Sequence, residues 1–332
     1  MKSHLVNLRL LLAFVWCATV CNPGALIAQS FRIEQTDKAI TVYDSGDKVV
    51  LTYNKVSPQP PEGIDSVYHR SGCLHPVCTP KGRIVTAMFP FDHPHQHGIF
   101  SAWVKTKYAG QDIDFWNMAG RTGRVLHERV DSTFQKDQAV GFVVDLIHRA
   151  ETKPQIDVLR ERWKITIYPT DGSYRCFDLQ TVQSALTEKP LTVSKNRYGG
   201  VAVRGPTRWL TEKDPGAVAQ PDLVREQTGF LNNLGSNRVT GNHQKSKWVA
   251  LWGNIEGEPV SITVLCHKDN LRAPQTARLH PTKPYFCFSP CVDAKFVIDR
   301  EHPYQATYRF LVADTQPNAN WLTEQWDRWC GM

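Results

Sequence analysis

Short runs of β-branched and aromatic residues recur along most of this chain, and turn-forming residues separate them. Such runs are typical of β-strands. The runs that we predict as strands are residues 39–43, 48–53, 83–89, 99–106, 141–148, 163–168, 174–182, 248–253, 260–266, 284–289 and 304–312. Asp171 and Gly172 lie between two of these runs and predict a hairpin turn. Because helical periodicity is nearly absent, the pattern predicts an all-β fold, a large antiparallel β-sandwich.

One helix is predicted near the C-terminus. Trp321, Leu322, Gln325, Trp326 and Trp329 have the spacing of one helical face, which is largely apolar. Asn318 or Asn320 supplies an N-cap. The tryptophans resemble a platform for stacking sugars, but an apolar face of a terminal helix more often packs against a sheet. We therefore expect this face to pack.

The first 28 residues have the pattern of a secretory signal peptide. Lys2 and Arg9 precede an apolar run over residues 10–20. Ala28 is the expected last residue before cleavage. An uncleaved anchor is the alternative. No later segment is long and apolar enough for a membrane helix. We expect a periplasmic or secreted protein with no transmembrane segment, folded as a single domain over residues 29–332.

Charge and cysteine content narrow the classes of partner. The chain carries 39 basic and 32 acidic residues, a formal charge of +7, with no basic block, so we expect no nucleic-acid partner. Seven cysteines follow the leader. Cys73 with Cys78, and Cys287 with Cys291, are disulfide candidates by spacing, but sequence leaves the pairing open. For Cys176 and Cys266 we favour burial as small apolar side chains.

The densest candidate chemistry is the stretch of residues 92–98, in which Asp92 precedes three alternating histidines, His93, His95 and His97. On an extended backbone these rings share one face and converge on a metal, a proton or a sugar hydroxyl. Pro94 interrupts strict alternation, so we favour a metal-free polar cluster that lines a cleft. A divalent metal held by the three histidines is the less favoured alternative. A simple turn whose side chains bond the backbone is a third. The sequence names no cofactor.

A second candidate group follows the next apolar strand. Asp114 and Asn117 are suited to bind sugar hydroxyls, and the ring of Trp116 is suited to stack on a pyranose. A hairpin would bring this group towards the histidines. The alternative is that Phe115 and Trp116 form a buried pair.

Further candidates lie later in the chain. Arg204 follows a Gly-Gly pair and a short apolar run, where a guanidinium can clamp a carboxylate or two hydroxyls. His280 and His243 are loop histidines that can act as acid or base if they reach a cleft. Residues 205–247 form a long polar segment, which is usually functional or contains small elements. For each of these residues, ordinary surface solvation is the alternative.

The motifs at residues 92–98, 114–116, 198–205 and 308–310 together resemble a bacterial family named methane oxygenase PmoA, also known as a domain of unknown function. Many members have His-His-Arg-Gly where this chain has His95-Gln96-His97-Gly98, so no arginine role transfers. The name conflicts with physics, because a methane monooxygenase subunit spans a membrane with several helices. The resemblance implies a β-sandwich similar to the galactose-mutarotase supersandwich, a fold that commonly hosts sugar chemistry.

These observations favour an exported carbohydrate-active protein whose ligand is a carbohydrate or another small molecule. His95 or His97 would serve as general acid or base beside Asp92 and His93, for epimerisation, lyase-type elimination or hydrolysis. Hydrolysis ranks last because no pair of catalytic carboxylates stands out. The alternatives are a non-catalytic glycan-binding protein and a metal-dependent oxidative enzyme.

Overall fold

The computed structural model describes residues 30–220 and 222–332. The predicted signal peptide and its cleavage after Ala28 lie outside these residues. The described part contains no helix long and apolar enough to cross a membrane. Its strands, numbered along the chain, are β1 Phe31–Gln35, β2 Ala39–Asp44, β3 Val49–Asn54, β4 Cys73–Val77, β5 Ile99–Trp103, β6 Thr106–Tyr108, β7 Gln111–Ile113, β8 Gly123–Lys136, β9 Ala139–Ala150, β10 Ile156–Tyr168, β11 Tyr174–Ala185, β12 Leu191–Val193, β13 Gly199–Arg204, β14 Thr228–Asn232, β15 Trp248–Ile255, β16 Glu258–Cys266, β17 Ala277–Leu279, β18 Tyr285–Phe288, β19 Phe296–Ile298 and β20 Tyr304–Ala313. The α-helices are α1 Pro215–Val218 and α2 Ala319–Cys330.

The described strands form three antiparallel sheets. The first has the order β1-β2-β3-β4-β5-β13-β18-β17, and the second β14-β15-β16-β20-β11-β10-β9-β8. A small third sheet has the order β19-β12-β6-β7. The predicted all-β antiparallel sandwich is therefore confirmed.

The main core lies between the two eight-stranded sheets. The ring of Tyr53 in the first sheet lies 5.7 Å from that of Phe142 in the second. Phe288 and Tyr308 meet in the same way at 5.8 Å. The indole of Trp103 donates a hydrogen bond across the core to Gln183, at 2.7 Å. Because side chains alternate along a strand, the neighbours of these core residues point to the outer faces of the sheets.

The hairpin predicted at Asp171-Gly172 is confirmed. It joins β10 to β11, and Gly172 takes the positive φ of 88° that such a turn needs. The strand predicted over residues 83–89 is wrong. That stretch makes only two isolated bridges, Cys78 with Ile84 and Met88 with His97. Its backbone hydrogen bonds go first to Val77 of β4 and then to Arg204 of β13, so no continuous ladder forms.

The C-terminal helix docks on the outer face of the second sheet, as predicted. The side chain of Asn318 accepts a hydrogen bond from the backbone NH of Trp321 and caps α2. Leu322 and Trp326 are buried, and the Trp326 indole donates to the carbonyl of Cys266 at 2.7 Å. The apolar face of α2 therefore packs, which supports the packing interpretation of its tryptophans.

The seven cysteines of the described chain are all buried and unpaired. The local pairs Cys73–Cys78 and Cys287–Cys291 are not bonded. Burial raises the pKa of the Cys73 and Cys287 thiols to about 12. These side chains act as small apolar groups in the packing, so hydrophobic burial and hydrogen bonds hold the described fold together.

Candidate functional site

The candidate site lies on the outer face of the first sheet. Val203 and Phe286 pair across β13 and β18, and Phe286 points inward to contact Phe230 of the second sheet. Their neighbours Arg204 and Tyr285 also pair and therefore point outward. Although it is on an outer face, Arg204 is 0% exposed. The chain around Asp92 and the segment after Arg204 cover it.

The histidine stretch folds as two consecutive turns and not as a strand. The backbone NH of His93 donates to Pro90, and that of Gln96 donates to His93, each at 3.0 Å. Pro94 lies at the second position of the latter turn, where its fixed φ is favoured. The expected extended geometry with three rings on one face is therefore wrong. His93 and His95 stay neighbours, with ring centroids 5.3 Å apart, whereas His97 diverges.

Asp92 is the buried anion of the site. Both of its oxygens accept from Arg204, at 2.7 and 3.0 Å, and the same guanidinium donates to the side-chain oxygen of Gln96 at 2.9 Å. Burial raises the pKa of Asp92, but His93, Arg204 and Lys283 outweigh burial and hold that pKa far below its usual range. Asp92 is therefore a fixed negative charge at any working pH.

A second cation and a second carboxylate complete this network. Lys283 lies 3.2 Å from Asp92 and 2.7 Å from Asp214. The hydroxyl of Thr282 donates to the same Asp214 oxygen at 2.6 Å. Burial opposes ionisation of Asp214, but Lys283 and Thr282 lower its pKa. Asp214 also caps α1, which packs on the histidine turns because a Cβ at Gly216 would lie 3.2 Å from that of Asp92.

Three imidazoles converge above this network. The ring of His93 lies 5.3 Å from that of His95 and 6.2 Å from that of His280. Burial, His93 and nearby arginines lower the pKa of His95 to about 3. Burial, Arg278 and Lys283 lower the pKa of His280 to about 3. Both rings are therefore neutral near pH 7, and all three are partly exposed.

The contacts of two rings define their roles. His280 Nδ1 accepts from the backbone NH groups of Thr282 and Lys283, at 3.3 and 3.1 Å, so the proton of the neutral ring is on Nε2. Nδ1 of His93 lies 3.4 Å from the Asp92 carboxylate, within ion-pair distance, and makes no hydrogen bond. Asp92 is therefore the charge nearest to His93, whereas His280 presents an N–H donor.

His97 is separate from the other histidines. It is 0% exposed, and its ring lies 4.6 Å from that of Phe89. Its Nδ1 bonds the carbonyl of His95 at 3.0 Å, which leaves Nε2 buried without a partner. Within residues 30–220 and 222–332, no group of three or more His, Cys, Asp or Glu side chains is arranged to hold a metal ion. The geometry therefore does not supply the predicted set of His93, His95 and His97 as ligands.

Asp114, Trp116 and Asn117 fold back on β5, but their polar atoms serve the local backbone. Asp114 accepts from the backbone NH groups of Trp116 and Asn117 and from the Asn117 amide, at 2.6–2.9 Å. The Trp116 side chain is 2% exposed and lies 4.7 Å from the ring of Phe100. The ring therefore packs inside the protein, as the alternative of a buried Phe115–Trp116 pair proposed.

Tyr198 is a partly exposed aromatic ring that connects to the histidines through Tyr285. Its ring lies 6.0 Å from that of Tyr285, whose ring is 6.4 Å from that of His280. Arg278 covers the Tyr198 ring at 5.1 Å and donates to its hydroxyl at 3.1 Å. Sequence reasoning missed Tyr198, Arg278, Asp214 and Lys283, because contacts between distant segments leave no spacing signal.

A cavity of about 1350 Å³ is lined by residues 81–84 and 86–88 and by the segment after Arg204. It contains none of the predicted site residues. Its one lining histidine is His75, whose Nδ1 bonds the hydroxyl of Thr86 at 2.9 Å and whose pKa burial lowers to about 4. The cavity therefore offers a single histidine and no buried carboxylate among its lining residues, whereas three imidazoles meet beside the buried Asp92.

A family model matches residues 41–327, and its description is "Family of unknown function (DUF6807)". The chain belongs to this family. The resemblance to the methane oxygenase PmoA family is therefore wrong, since the matching family is this one of unknown function. No curated protein sequence matches the chain.

Two solved structures resemble the chain weakly. They are the heparan sulfate lyase HepC from Pedobacter heparinus and a mutant of it, each with a TM-score of 0.36. The identities are 10% and 11%, over 87% and 89% of this chain. The chain covers 36% and 37% of the lyase chains, about a third of their length. At that score the activity of the lyase does not carry over.

Proposed function

We propose that this chain is an exported enzyme that moves a proton on a carbohydrate, as an epimerase or a lyase. The observation that carries the proposal is the convergence of His93, His95 and His280 over the buried Asp92–Arg204 pair. Several neutral or orientable imidazoles above a fixed charge are the groups that proton abstraction and return require. Hydrolysis is less favoured, because both buried carboxylates of the network are engaged by cations.

The roles follow from the contacts of each ring. His93, whose Nδ1 faces Asp92 at 3.4 Å, abstracts a proton from a sugar carbon, because a neighbouring carboxylate stabilises the imidazolium that forms. His280 donates from Nε2 to the developing oxyanion or leaving oxygen. His95 completes the polar wall, and the ring of Tyr198 takes the stacking role predicted for Trp116. Arg204 holds Asp92 in place and does not contact the sugar.

The test is proton exchange at carbon. The purified protein is incubated with a panel of sugars and oligosaccharides in deuterated water, and deuterium incorporation and new double bonds are followed by NMR. We expect exchange that falls about 100-fold or more in His93→Gln. His302→Gln, at an exposed histidine paired with Asp299, is the matched control and retains exchange.

Two outcomes would contradict the proposal. Full exchange in His93→Gln would remove His93 from the mechanism. Binding of sugars with no exchange, elimination or cleavage would identify a glycan-binding protein. The export component is tested separately by the intact mass of the protein from its native host, which we expect to begin after Ala28.

A further inference from the structure

Two buried arginines near the site, Arg70 and Arg278, and the half-buried Arg238 have no carboxylate partner within ion-pair distance among the described residues. Each donates only to neutral oxygens. Arg204 and Lys283, in contrast, are neutralised by Asp92 and Asp214. A buried charge without a counter-ion is costly, and a bound anion would remove that cost.

Arg278 is the cation of this group best placed for a ligand. It is 6% exposed and donates to Asn242 at 2.9 Å and to the hydroxyl of Tyr198 at 3.1 Å. Its Nε is buried without a partner. Neutral groups thus hold the guanidinium against an aromatic ring, and no carboxylate neutralises its charge.

The position of Arg278 ties it to the proposed acid. Arg278 lies two residues before His280, and it contributes to the lowered pKa of both His280 and His243. Two guanidinium groups lie over the ring of Tyr198. Those of Arg278 and Arg197 are 5.1 and 5.3 Å from the ring centroid. Positive charge therefore accumulates along the Tyr198 side of the imidazoles.

The remaining charges around the imidazoles do not cancel this excess. Arg70 also lowers the pKa of His95. Asp114 and Glu161 act on Arg70 without ion-pairing to it. Asp114 is itself engaged by three local donors, and Glu161 by the side chains of His148, Trp163 and Thr181. Because the nearby carboxylates are already bonded to other groups of the protein, the site presents a net positive charge to a ligand.

We propose that the site takes an acidic sugar whose anionic group, a carboxylate or a sulfate, lies against Arg278 and Tyr198. The sugar ring then lies between Tyr198 and the pair His93 and His280. This inference rests on the proposed function, because it assigns the substrate class of the same site. A planar guanidinium with free donor capacity matches either anion.

An anion at this position would also change the basicity of the site's histidines. His95 and His280 are poor bases, because burial first and neighbouring cations second disfavour their charged forms. A bound anion offsets those cations and moves both imidazoles towards the range useful near neutral pH. Substrate would thus tune the catalytic groups that act on it.

The experiment compares oligosaccharides that share a backbone and differ in charge. The probes are oligogalacturonates and their methyl esters, and sulfated galactan oligosaccharides and their desulfated forms, with binding measured by calorimetry at low and high salt. We expect the charged member of at least one pair to bind about 10-fold or more tightly than its neutral partner, with affinity that falls as salt rises. The pair that responds distinguishes a carboxylate from a sulfate.

Substitution of Arg278 locates the anion. Arg278→Gln should lower affinity for the charged probe about 10-fold and leave that for the neutral probe unchanged, whereas Arg278→Lys should retain part of the preference. Arg300→Gln, at an exposed arginine paired with Glu188, is the control. If Arg278→Gln does not fold, the salt dependence of the unsubstituted protein still decides between charged and neutral ligands.

The failures are distinguishable. Equal binding of charged and neutral members overturns this inference and leaves the proposed enzyme intact. Charge-selective binding with no exchange or elimination keeps the anion site and overturns the proposed function. Binding of neither member of either pair overturns the inference.

Discussion

At the scale of single residues, the site is defined by the contrast between fixed charges and neutral rings. Asp92 has a side chain 2% exposed and is surrounded by Arg204, Lys283 and His93. His95 and His280 are held neutral by burial and by the same cations. The charges set the orientation and the protonation of the rings, so they support the chemistry without carrying it out.

The first prediction concerns Asp92. Asp92→Asn should destabilise the fold by about 3 kcal/mol or more, because it leaves the fully buried Arg204 without a carboxylate. Urea unfolding followed by tryptophan fluorescence measures the loss. Asp112→Asn, at an exposed carboxylate 3.5 Å from Lys107, is the control and should change stability by less than about 0.5 kcal/mol. Equal stability of the two variants would show that the buried pair is not needed for folding.

The second prediction concerns pH. His75, His95 and His280 have folded pKa values of about 4, 3 and 3, against about 6.5 in an unfolded chain. As pH falls below about 6.5 the unfolded chain binds protons first, so stability present near pH 7 is lost towards pH 4, by about 1.4 kcal/mol per pH unit for each histidine. Asp92, with a lowered pKa, adds losses only below about pH 4.

Unfolding free energies at pH 7, 6 and 5 check this slope. His95→Gln should flatten it by the share of one histidine, and the exposed-site control His302→Gln should not. Stability that stays constant between pH 7 and pH 5 would contradict the neutral burial of these rings.

At the scale of elements, short connections position the side chains of the site, and the first sheet supports those connections. The two turns of the histidine stretch end at Gly98, which has a φ of +56° and leads directly into β5. A Cβ there would lie 2.1 Å from the carbonyl oxygen of Leu74. Glycine therefore lets the turns lie against the neighbouring strand β4, which places Asp92 over Arg204.

The third prediction follows from this close approach. Gly98→Ala should cost about 3 kcal/mol or more, because a backbone oxygen must move in addition to the strain of positive φ. Gly82→Ala is the matched control, since Gly82 has a φ of +90° but open space around it, and it should cost about 1 kcal/mol. Thermal unfolding of both variants separates the clash from the strain, and equal losses would mean that no clash exists.

The fourth prediction concerns the start of α2. Two asparagines were candidates for its cap, and the structure assigns the role to Asn318. Asn318→Ala should cost about 1 kcal/mol, whereas Asn320→Ala, at an exposed position inside the helix, should change stability by less than about 0.5 kcal/mol. A larger loss from Asn320→Ala in urea unfolding would reverse the assignment.

Strands with a clear alternation of apolar and polar residues could be predicted from the sequence. Strands that are recognised only by the strands they pair with could not. The hairpin β10–β11 has a regular apolar pattern and an Asp-Gly turn, so local sequence suffices. β8 is an edge strand of 14 residues with mostly exposed or half-buried side chains, and its pattern has no apolar face to detect. The run at residues 83–89 looks like a strand, but it divides its backbone hydrogen bonds between Val77 of β4 and Arg204 of β13 and forms no continuous ladder with either.

At the scale of the whole molecule, the site could be predicted only in part for a similar reason. Asp92, His93 and Arg204 were singled out because unusual residue types cluster locally. Asp214 and Lys283 join them from segments 69 residues apart, a contact that no local pattern encodes. The long segment after Arg204 was expected to be functional or to contain small elements, and the structure shows that it carries both α1 and Asp214.

The fifth prediction concerns the cysteines. Because all seven in the described chain are buried and unpaired, a reducing agent should leave the midpoint of thermal unfolding unchanged. Native protein should also react with a thiol reagent far more slowly than protein unfolded in urea, since burial protects the thiols and raises their pKa. A midpoint that falls on reduction would reveal a disulfide.

The network of Asp92, Arg204, Asp214 and Lys283 also bears on how the protein is made, because its members enter the growing chain in that order. A chain still on the ribosome can form early hairpins, but the network stays incomplete until Lys283 is available. We therefore expect any fragment that ends before Lys283 to lack this network, and any activity that depends on it.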